Sequence, residues 1–129
     1  MSNPDRGVLV VDDDLDIREA LSDILDDRGF HVESAANGRE ALTLLRSLKA
    51  APSVILLDLM MPVMDGYGFL EERRKDRSLA VIPVAIITAG HGVDRSRIDE
   101  VTPILAKPID VKRLFRLLDD LCAAAGSVR

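Results

Sequence analysis

The chain has 129 residues, of which 47% are hydrophobic and 30% charged, an ordinary balance for one globular domain. Its net charge of −5 argues against binding to nucleic acid or to an anionic membrane surface, since both require a positive face. No apolar stretch approaches the roughly 20 residues of a membrane helix, and the polar N-terminus is not a signal peptide. We therefore expect a cytoplasmic protein, and the single cysteine, Cys122, fits a reducing compartment.

Short apolar runs alternate with segments of helical periodicity along the chain. The predicted strands are 7–12, 31–35, 53–58, 82–88 and 104–107. The predicted helices are 15–28, 38–48, 66–75 and 110–124, with a weaker one near 94–101. Strands joined by helices predict an α/β fold with a parallel sheet and helices on both faces. We expect a single domain spanning 1–129, with no effector domain.

Four of the predicted strands end in polar side chains. These are Asp12, Asp13 and Asp14 after the first strand, Asp58 after the third, Thr88 after the fourth and Lys107 after the fifth. Open α/β sheets bind ligands at this carboxyl edge. The acids of the first and third strands converge only if these strands are neighbours, as in the flavodoxin-like order 2-1-3-4-5. Asp14 is predicted to cap the first helix and is assigned no metal.

This set of side chains suits a metal ion and a phosphoryl group. Clustered carboxylates repel one another unless a cation compensates, and the natural cation for oxygen ligands of this kind is Mg²⁺. Lys107 supplies a further positive charge, and the Thr88 hydroxyl can donate a hydrogen bond to a phosphoryl oxygen. An ionised carboxylate held between a metal and a lysine is a plausible nucleophile toward phosphorus, and its product is an aspartyl phosphate.

Four motifs in order carry a family resemblance. They are Val10-Val11-Asp12-Asp13-Asp14, the run from Leu57 through Asp58 to Asp65-Gly66, Ile87-Thr88-Ala89, and Lys107-Pro108. Over nearly its whole length, the chain resembles the receiver domain of two-component response regulators. The resemblance implies a protein that is switched by phosphorylation and is not itself an enzyme. Its implied partners are a sensor histidine kinase or a histidine phosphotransfer protein, and an output protein of unknown identity.

The resemblance also implies roles for individual residues. Asp58 would accept phosphate from a phosphohistidine. Asp13, Asp58 and the main-chain carbonyl of Met60 would bind Mg²⁺ directly, and Asp12 would act through water. Thr88 and Lys107 would hold the phosphoryl group. The peptide bond between Lys107 and Pro108 is expected to be cis, as in the family.

The chain departs from the family pattern between its fourth and fifth strands. Ile104 stands where receivers commonly carry an aromatic residue whose rotation accompanies activation. The segment from Thr88 to Lys107 is short and contains Pro103, so the family's fourth helix is expected to be short or irregular.

Two surface features have simple interpretations. The basic run Arg73, Arg74, Lys75 and Arg77 closes a predicted helix, where cations favour the helix dipole, and we interpret it as a solvated face. Apolar residues beside the motifs, if exposed, would form a docking patch for a partner's helices. These are Leu15, Ile17, Pro108 and Ile109.

Two other functions are compatible with parts of the pattern. A pseudo-receiver would use the same fold for protein contacts without phosphorylation. A haloacid-dehalogenase-type phosphatase would use Asp12 as its nucleophile, but Asp16 occupies the position where that motif expects threonine or valine. A flavodoxin-like FMN binder is disfavoured because the acids after the first strand would repel the flavin phosphate. The phosphorylation switch is the leading hypothesis.

Overall fold

Five parallel strands form a single sheet in the order β2-β1-β3-β4-β5. A computed structural model describes residues 3–89 and 91–127 of the chain. The strands are β1 (Asn3–Val11), β2 (Phe30–Ala35), β3 (Val54–Asp58), β4 (Val84–Thr88) and β5 (Ile104–Ala106). The predicted fold class and strand order are confirmed. The first strand begins earlier than predicted, because Asn3 still pairs with Phe30 of β2 across an irregularity in register.

The helices are α1 (Leu15–Asp27), α2 (Gly38–Ser47), α3 (Gly66–Arg74), α4 (Arg77–Ala80) and α5 (Val111–Ser127). Asp or Asn side chains accept backbone N–H bonds at the N-termini of the first four, which satisfies donors that have no partner inside the helix. The caps are Asp14, Asn37, Asp65 and Asp76. The capping role predicted for Asp14 is confirmed. The single turn α4 was not predicted.

The sheet separates two apolar cores. Because successive strand residues point to opposite faces, Leu9 and Val11 of β1 pack toward α2 and α3, whereas Val8 and Val10 pack toward α1 and α5. All residues of β3 and β4 are buried, as expected for strands covered on both faces. Within the described residues, no helix combines the length and apolar composition that a bilayer crossing requires.

The connection between β4 and β5 contains very little regular structure. Its only helical element among the described residues is the 3₁₀ turn Arg95–Arg97, so the prediction of a short or irregular helix is confirmed. Gly92 adopts a positive φ of 74° ahead of this turn. Ile98, directly after it, is buried in the core on the α2–α3 side of the sheet.

One prediction about the surface is wrong. Arg73 is not a solvated member of the basic run, because its guanidinium donates hydrogen bonds to the carbonyls of Ala80 at 3.0 Å and Ile82 at 2.6 Å. Burial lowers the pKa of Arg73 from its usual range. Arg73 therefore ties the end of α3 to the segment that leads into β4. Arg74 and Lys75 are exposed, as predicted.

Candidate functional site

Three acids come together at the carboxyl edge of the central strands. β1 and β3 are neighbours with Val11 opposite Leu57, so the residues that follow, Asp12 and Asp58, emerge side by side. One carboxylate oxygen from each of Asp12, Asp13 and Asp58 lies within 4.8 Å of the others. Asp12 and Asp58 are only 3% and 6% exposed, whereas Asp13 is open to solvent. The structure thus brings together the acids that the strand-end pattern singled out.

Asp12 is held from several directions. Its backbone N–H donates to Ala35 O at 3.1 Å, and its Oδ1 accepts the N–H of Asp14 at 2.9 Å. Its carbonyl accepts a bond from Arg18 Nη1 at 2.7 Å. Sequence reasoning missed Arg18, because a single arginine on a helix carries no signal that it reaches back to the preceding strand end. Arg18 fixes the backbone from which the acids at the end of β1 project.

Lys107 and Thr88 border the same cluster. Lys107 Nζ lies 3.0 Å from Asp12 Oδ2 and 3.7 Å from Asp58 Oδ2, so one cation faces two buried carboxylates. The backbone N–H of Lys107 donates to Thr88 O at 2.7 Å, and the Lys107–Pro108 peptide bond is cis, as expected. Thr88 is 2% exposed and ends β4, one residue beyond Ile87, which lies opposite Asp58.

The loop after Asp58 is tightly folded. Asp58 Oδ1 accepts a long hydrogen bond of 3.4 Å from the N–H of Met60, whose side chain is exposed. Val63 has a φ of 68°, a left-handed conformation that is unfavourable for a β-branched residue. Gly66 N donates to Leu59 O at 2.9 Å, and a Cβ on Gly66 would meet the Asp58 carbonyl at 2.6 Å. Only glycine allows α3 to begin so close to the site.

The charges in the cluster are unbalanced. Burial and then the neighbouring charge of Asp12 raise the pKa of the Asp58 carboxyl, and Lys107 offsets only part of this effect. For Lys107, burial lowers the pKa, but the hydrogen bond and charge of Asp12 outweigh it, so its pKa is raised overall. The lysine is therefore firmly protonated. Even so, one lysine does not neutralise three carboxylates.

The donor atoms fit a hard divalent cation. The cluster offers carboxylate oxygens from Asp12, Asp13 and Asp58, and no sulfur or nitrogen ligand. Mg²⁺ prefers such oxygen donors and keeps several of its waters, which the exposed position of Asp13 would allow. A cation here would also relieve the repulsion that contributes to the raised pKa of Asp58. The arrangement can therefore hold a metal beside a buried carboxylate.

Comparison with known proteins identifies the family. Residues 8–119 match the family model described as the response regulator receiver domain. The chain belongs to the response regulator receiver domain family. Two curated relatives are each 36% identical to this chain over the aligned residues. The probable transcriptional regulator ycf29 of Porphyra purpurea aligns with 88% of this chain, and the response regulator Rre1 of Synechocystis sp. aligns with 90%.

These curated relatives are longer proteins. The receiver domain covers 55% of ycf29 and 51% of Rre1. The chain also matches the probable transcriptional regulator ycf27 of Porphyra purpurea, and the match covers 37% of that protein. The chain thus spans roughly a third to a half of the curated relatives it matches.

Solved structures share the whole fold. The chemotaxis protein CheY4 of Vibrio cholerae is 34% identical with a TM-score of 0.79, and the match covers 90% of this chain and 98% of that one. A CheY-like receiver domain protein of Methanospirillum hungatei is 32% identical with a TM-score of 0.82, covering 95% and 98%. The signal receiver domain of a histidine kinase from Syntrophus aciditrophicus is 30% identical with a TM-score of 0.81, covering 92% and 91%.

Proposed function

We propose that this receiver domain is a phosphorylation-dependent switch of a two-component or phosphorelay system. Asp58 accepts the phosphoryl group, with Mg²⁺, from the phosphohistidine of a sensor histidine kinase or a histidine phosphotransfer protein. The observation that carries the proposal is the convergence of three carboxylates and Lys107 at the edge of the two central strands. The name of the Syntrophus relative, a receiver domain of a histidine kinase, supports the same signalling context.

Asp58 is a better nucleophile than Asp12. Both carboxylate oxygens of Asp12 are engaged, Oδ1 by the N–H of Asp14 at 2.9 Å and Oδ2 by Lys107 at 3.0 Å. Asp58 is held more loosely, by the N–H of Met60 at 3.4 Å and by Lys107 at 3.7 Å. The longer contacts leave the Asp58 oxygens less stabilised by neighbouring groups, and so more available to attack phosphorus. This difference also argues against the phosphatase alternative, which requires Asp12 as the nucleophile.

The transfer needs no further residue of this chain to act as a base. A carboxylate oxygen of Asp58 forms a bond to phosphorus while the phosphorus–nitrogen bond of the donor breaks, and the imidazole leaves with the electron pair. Asp12, Asp13, Asp58 and the carbonyl of Met60 are the groups that would hold Mg²⁺. The bound ion would neutralise charge on the transferred phosphoryl oxygens.

Lys107 and Thr88 are the groups that would respond to the modification. Phosphorylation places further anionic oxygens beside Asp58, and Lys107 Nζ, now 3.7 Å from Asp58, is near enough to pair with one of them. The Thr88 hydroxyl at the end of β4 would donate to another. Each new bond favours one member of a pair of conformations, so phosphorylation would shift an existing equilibrium.

Partner recognition at this edge would be partly apolar. Leu15, Met60 and Val63 are 55%, 69% and 77% exposed around the site. Each of these side chains follows a strand that ends in the acid cluster, and we propose that they contact the helices that present the phosphohistidine. Output from this chain would be a protein contact in the cytoplasm, without turnover of a substrate. Two relatives are named probable transcriptional regulators, and the proposal does not carry that role over to this chain.

The first experiment is intact mass spectrometry after incubation with acetyl phosphate and Mg²⁺. We expect one phosphoryl adduct that requires the metal and is lost in Asp58→Asn, with Asp12 intact as the internal control. An adduct that persists in Asp58→Asn would contradict the proposal and point toward Asp12. A folded protein that acquires no adduct, even from a phosphohistidine donor, would instead support the pseudo-receiver.

A second experiment tests the metal ligands by titration. Removing one charged ligand should weaken Mg²⁺ binding by about ten-fold or more, so Asp13→Ala should bind Mg²⁺ far less tightly than the wild type. The matched control is Asp16→Ala, which removes an exposed acid of α1 outside the cluster. Calorimetric titration that gives equal affinities for the two variants would exclude Asp13 as a ligand.

A further inference from the structure

Tyr67 is buried at a junction that the proposed function does not explain. It is the only tyrosine of the chain, lies at the second position of α3, and is 7% exposed. The residue before it, Gly66, packs directly against the Asp58 carbonyl. The backbone that carries Tyr67 is therefore attached to the backbone of the phosphorylation site.

The other side of the junction is the connection between β4 and β5. The Tyr67 hydroxyl accepts the N–H of Asp94 at 2.8 Å. Asp94 in turn caps the 3₁₀ turn, where its Oδ1 accepts the N–H of Ser96 at 3.1 Å. At the end of this turn, the Arg97 guanidinium lies 4.5 Å from the centre of the Tyr67 ring and bonds Glu71 of α3 at 2.8 Å. One aromatic side chain thus fastens the turn to α3.

This connection leads directly out of the site. Thr88 ends β4, and shortly after it Val93 packs against the same core as Ile98. Because only a short stretch of chain separates Thr88 from Asp94, we expect a movement of Thr88 to reach the segment that Tyr67 holds. The bond between Tyr67 and Asp94 thus joins two segments that start at different residues of the site. Tyr67 belongs to the helix that begins beside Asp58, and Asp94 belongs to the connection that begins after Thr88.

Ile104 cannot form an equivalent contact. Its side chain is partly buried against the core on the α2–α3 side and has no atom that hydrogen-bonds. Its β-branched side chain is also stiff about χ1, which disfavours large rotations. Among the described residues near this connection, Tyr67 is the aromatic side chain that combines a buried ring with a polar contact to the start of the 3₁₀ turn.

We propose that Tyr67 is a positioning residue that couples phosphorylation of Asp58 to the conformation of the turn 94–97, an inference that rests on the proposed function. Without phosphate, the bond from Asp94 N–H to Tyr67 holds the turn against α3. When Thr88 moves toward a phosphoryl group, this bond weakens and the turn is released. The released turn changes the surface that a partner meets on this side of the molecule.

The coupling has a reciprocal consequence. If phosphorylation weakens the bond at Tyr67, then loss of that bond must favour phosphorylation by the same factor. A hydrogen bond of this kind contributes a factor of about five to a conformational equilibrium. Tyr67→Phe removes the hydroxyl and leaves the ring in place beneath Arg97, so it isolates this single contact.

The test uses Mg²⁺ with beryllium fluoride, a tetrahedral analogue that binds a carboxylate as a phosphoryl group does. Amide exchange measured by NMR should become about five-fold faster at Asp94 when the analogue is added to the wild type. In Tyr67→Phe without the analogue, exchange at Asp94 should already be about as fast as in the wild type with the analogue. Adding the analogue to the variant should change this rate little. The variant should also bind the analogue up to about five-fold more tightly.

The matched control is Ser78→Ala. It removes a hydroxyl that bonds Asp76 at 2.7 Å in the cap of α4, a short helical element elsewhere on the surface. Its affinity for the analogue and its exchange at Asp94 should equal those of the wild type. A merely structural role for Tyr67 would change stability but not affinity for the analogue, so equal affinities of Tyr67→Phe and wild type would overturn the proposal.

A measurement on the unaltered chain decides the matter even if Tyr67→Phe fails to fold. Because the chain has one tyrosine and no tryptophan, its intrinsic emission reports on Tyr67 alone. Emission should change with Mg²⁺ and the analogue in the wild type and stay constant in Asp58→Asn. An Asp58 adduct from acetyl phosphate with no change in emission and none in Asp94 exchange would overturn the coupling and leave the switch intact. Absence of any adduct would overturn both.

Discussion

The carboxyl edge of the sheet is built differently on its two sides. On the β1–β3 side, two buried acids extend from central strands, and α3 begins in direct contact with the Asp58 backbone. On the β4–β5 side, the connection is attached to α3 by exposed polar residues such as Arg97 and Asp94. The two sides are therefore suited to different roles. We propose that the chemistry takes place on the closely packed side. On the other side, Val93 and Ile98 pack against the core, whereas the 3₁₀ turn between them is held to α3 by polar contacts, which are more easily broken.

Two glycine substitutions, one on each side, should differ most in their effects on stability and on phosphorylation. Gly66→Ala would place a methyl group 2.6 Å from the Asp58 carbonyl, so the backbone of the site must shift. We expect a loss of about 3 kcal/mol in the free energy of unfolding and loss of phosphorylation. In Gly92→Ala, in the connection, the new methyl group meets no atom within 4 Å. Only the positive φ is unfavourable for alanine, so we expect a loss of about 1 kcal/mol in the free energy of unfolding.

Urea unfolding and mass spectrometry of the two variants check this contrast. Gly92→Ala should still acquire a phosphoryl adduct, because its strain is confined to the connection. If both variants lose labelling, or if both are equally destabilised, then the two sides are not held in different ways and the comparison fails.

Lys107→Ala should have the next largest effect. Without Mg²⁺, the loss of this cation leaves the buried carboxylates of Asp12 and Asp58 facing each other, and we expect a loss of about 2 kcal/mol in stability at neutral pH. Added Mg²⁺ should recover part of it. The variant should also lose the response of Asp94 exchange to beryllium fluoride, because it lacks the group that we propose pairs with the phosphoryl oxygen.

The control for Lys107→Ala is Lys112→Ala, which removes an exposed lysine at the start of α5. This variant should be within about 0.5 kcal/mol of the wild type by urea unfolding, with or without metal. If the two lysine variants unfold alike, the cation at position 107 does not stabilise the acid cluster.

The smallest expected effect is a pH dependence. Because the pKa of Asp58 is raised in the folded protein, its ionisation is less favourable there than in the unfolded chain. The stability linked to this group is present below about pH 4 and is lost as the pH rises through the folded pKa. Without metal, Asp58→Asn should therefore be more stable than the wild type at pH 7, and the difference should shrink toward pH 4.

Urea unfolding of Asp58→Asn and wild type at both pH values tests this expectation. Asp16→Asn serves as the comparison, since Asp16 is an exposed acid outside the cluster. A stability difference for Asp58→Asn that is the same at pH 4 and pH 7 would mean that the carboxylate of Asp58 is not destabilised by its surroundings.

Much of the sheet and the acid cluster could be predicted from the sequence. Alternating apolar runs and helical segments define a parallel sheet, and the residue after each run must lie at its carboxyl edge, as Asp12, Asp58 and Thr88 do. The convergence of the acids then follows from strand order, for which the family resemblance was the guide.

The contacts that were missed all join residues that are distant in sequence or lie on different elements. Arg18 reaches the Asp12 carbonyl, Arg73 reaches Ile82, and Tyr67 accepts from Asp94. Each of these side chains has an ordinary place in its own helix, and its partner is a backbone group, which leaves no trace in residue type. Local patterns therefore cannot reveal such contacts before the tertiary arrangement is known.

The position of β1 and β3 within the sheet has a consequence for the lifetime of the site. Each has a hydrogen-bonded strand on both sides, and the edges of the sheet are β2 and β5. Fraying of an edge strand leaves β1 and β3 paired, so Asp12 and Asp58 should stay side by side until the central strands themselves separate. A thermal melt followed at a residue of the central strands would then also measure the survival of this pair of acids, whereas Lys107, which follows the edge strand β5, could separate from them earlier.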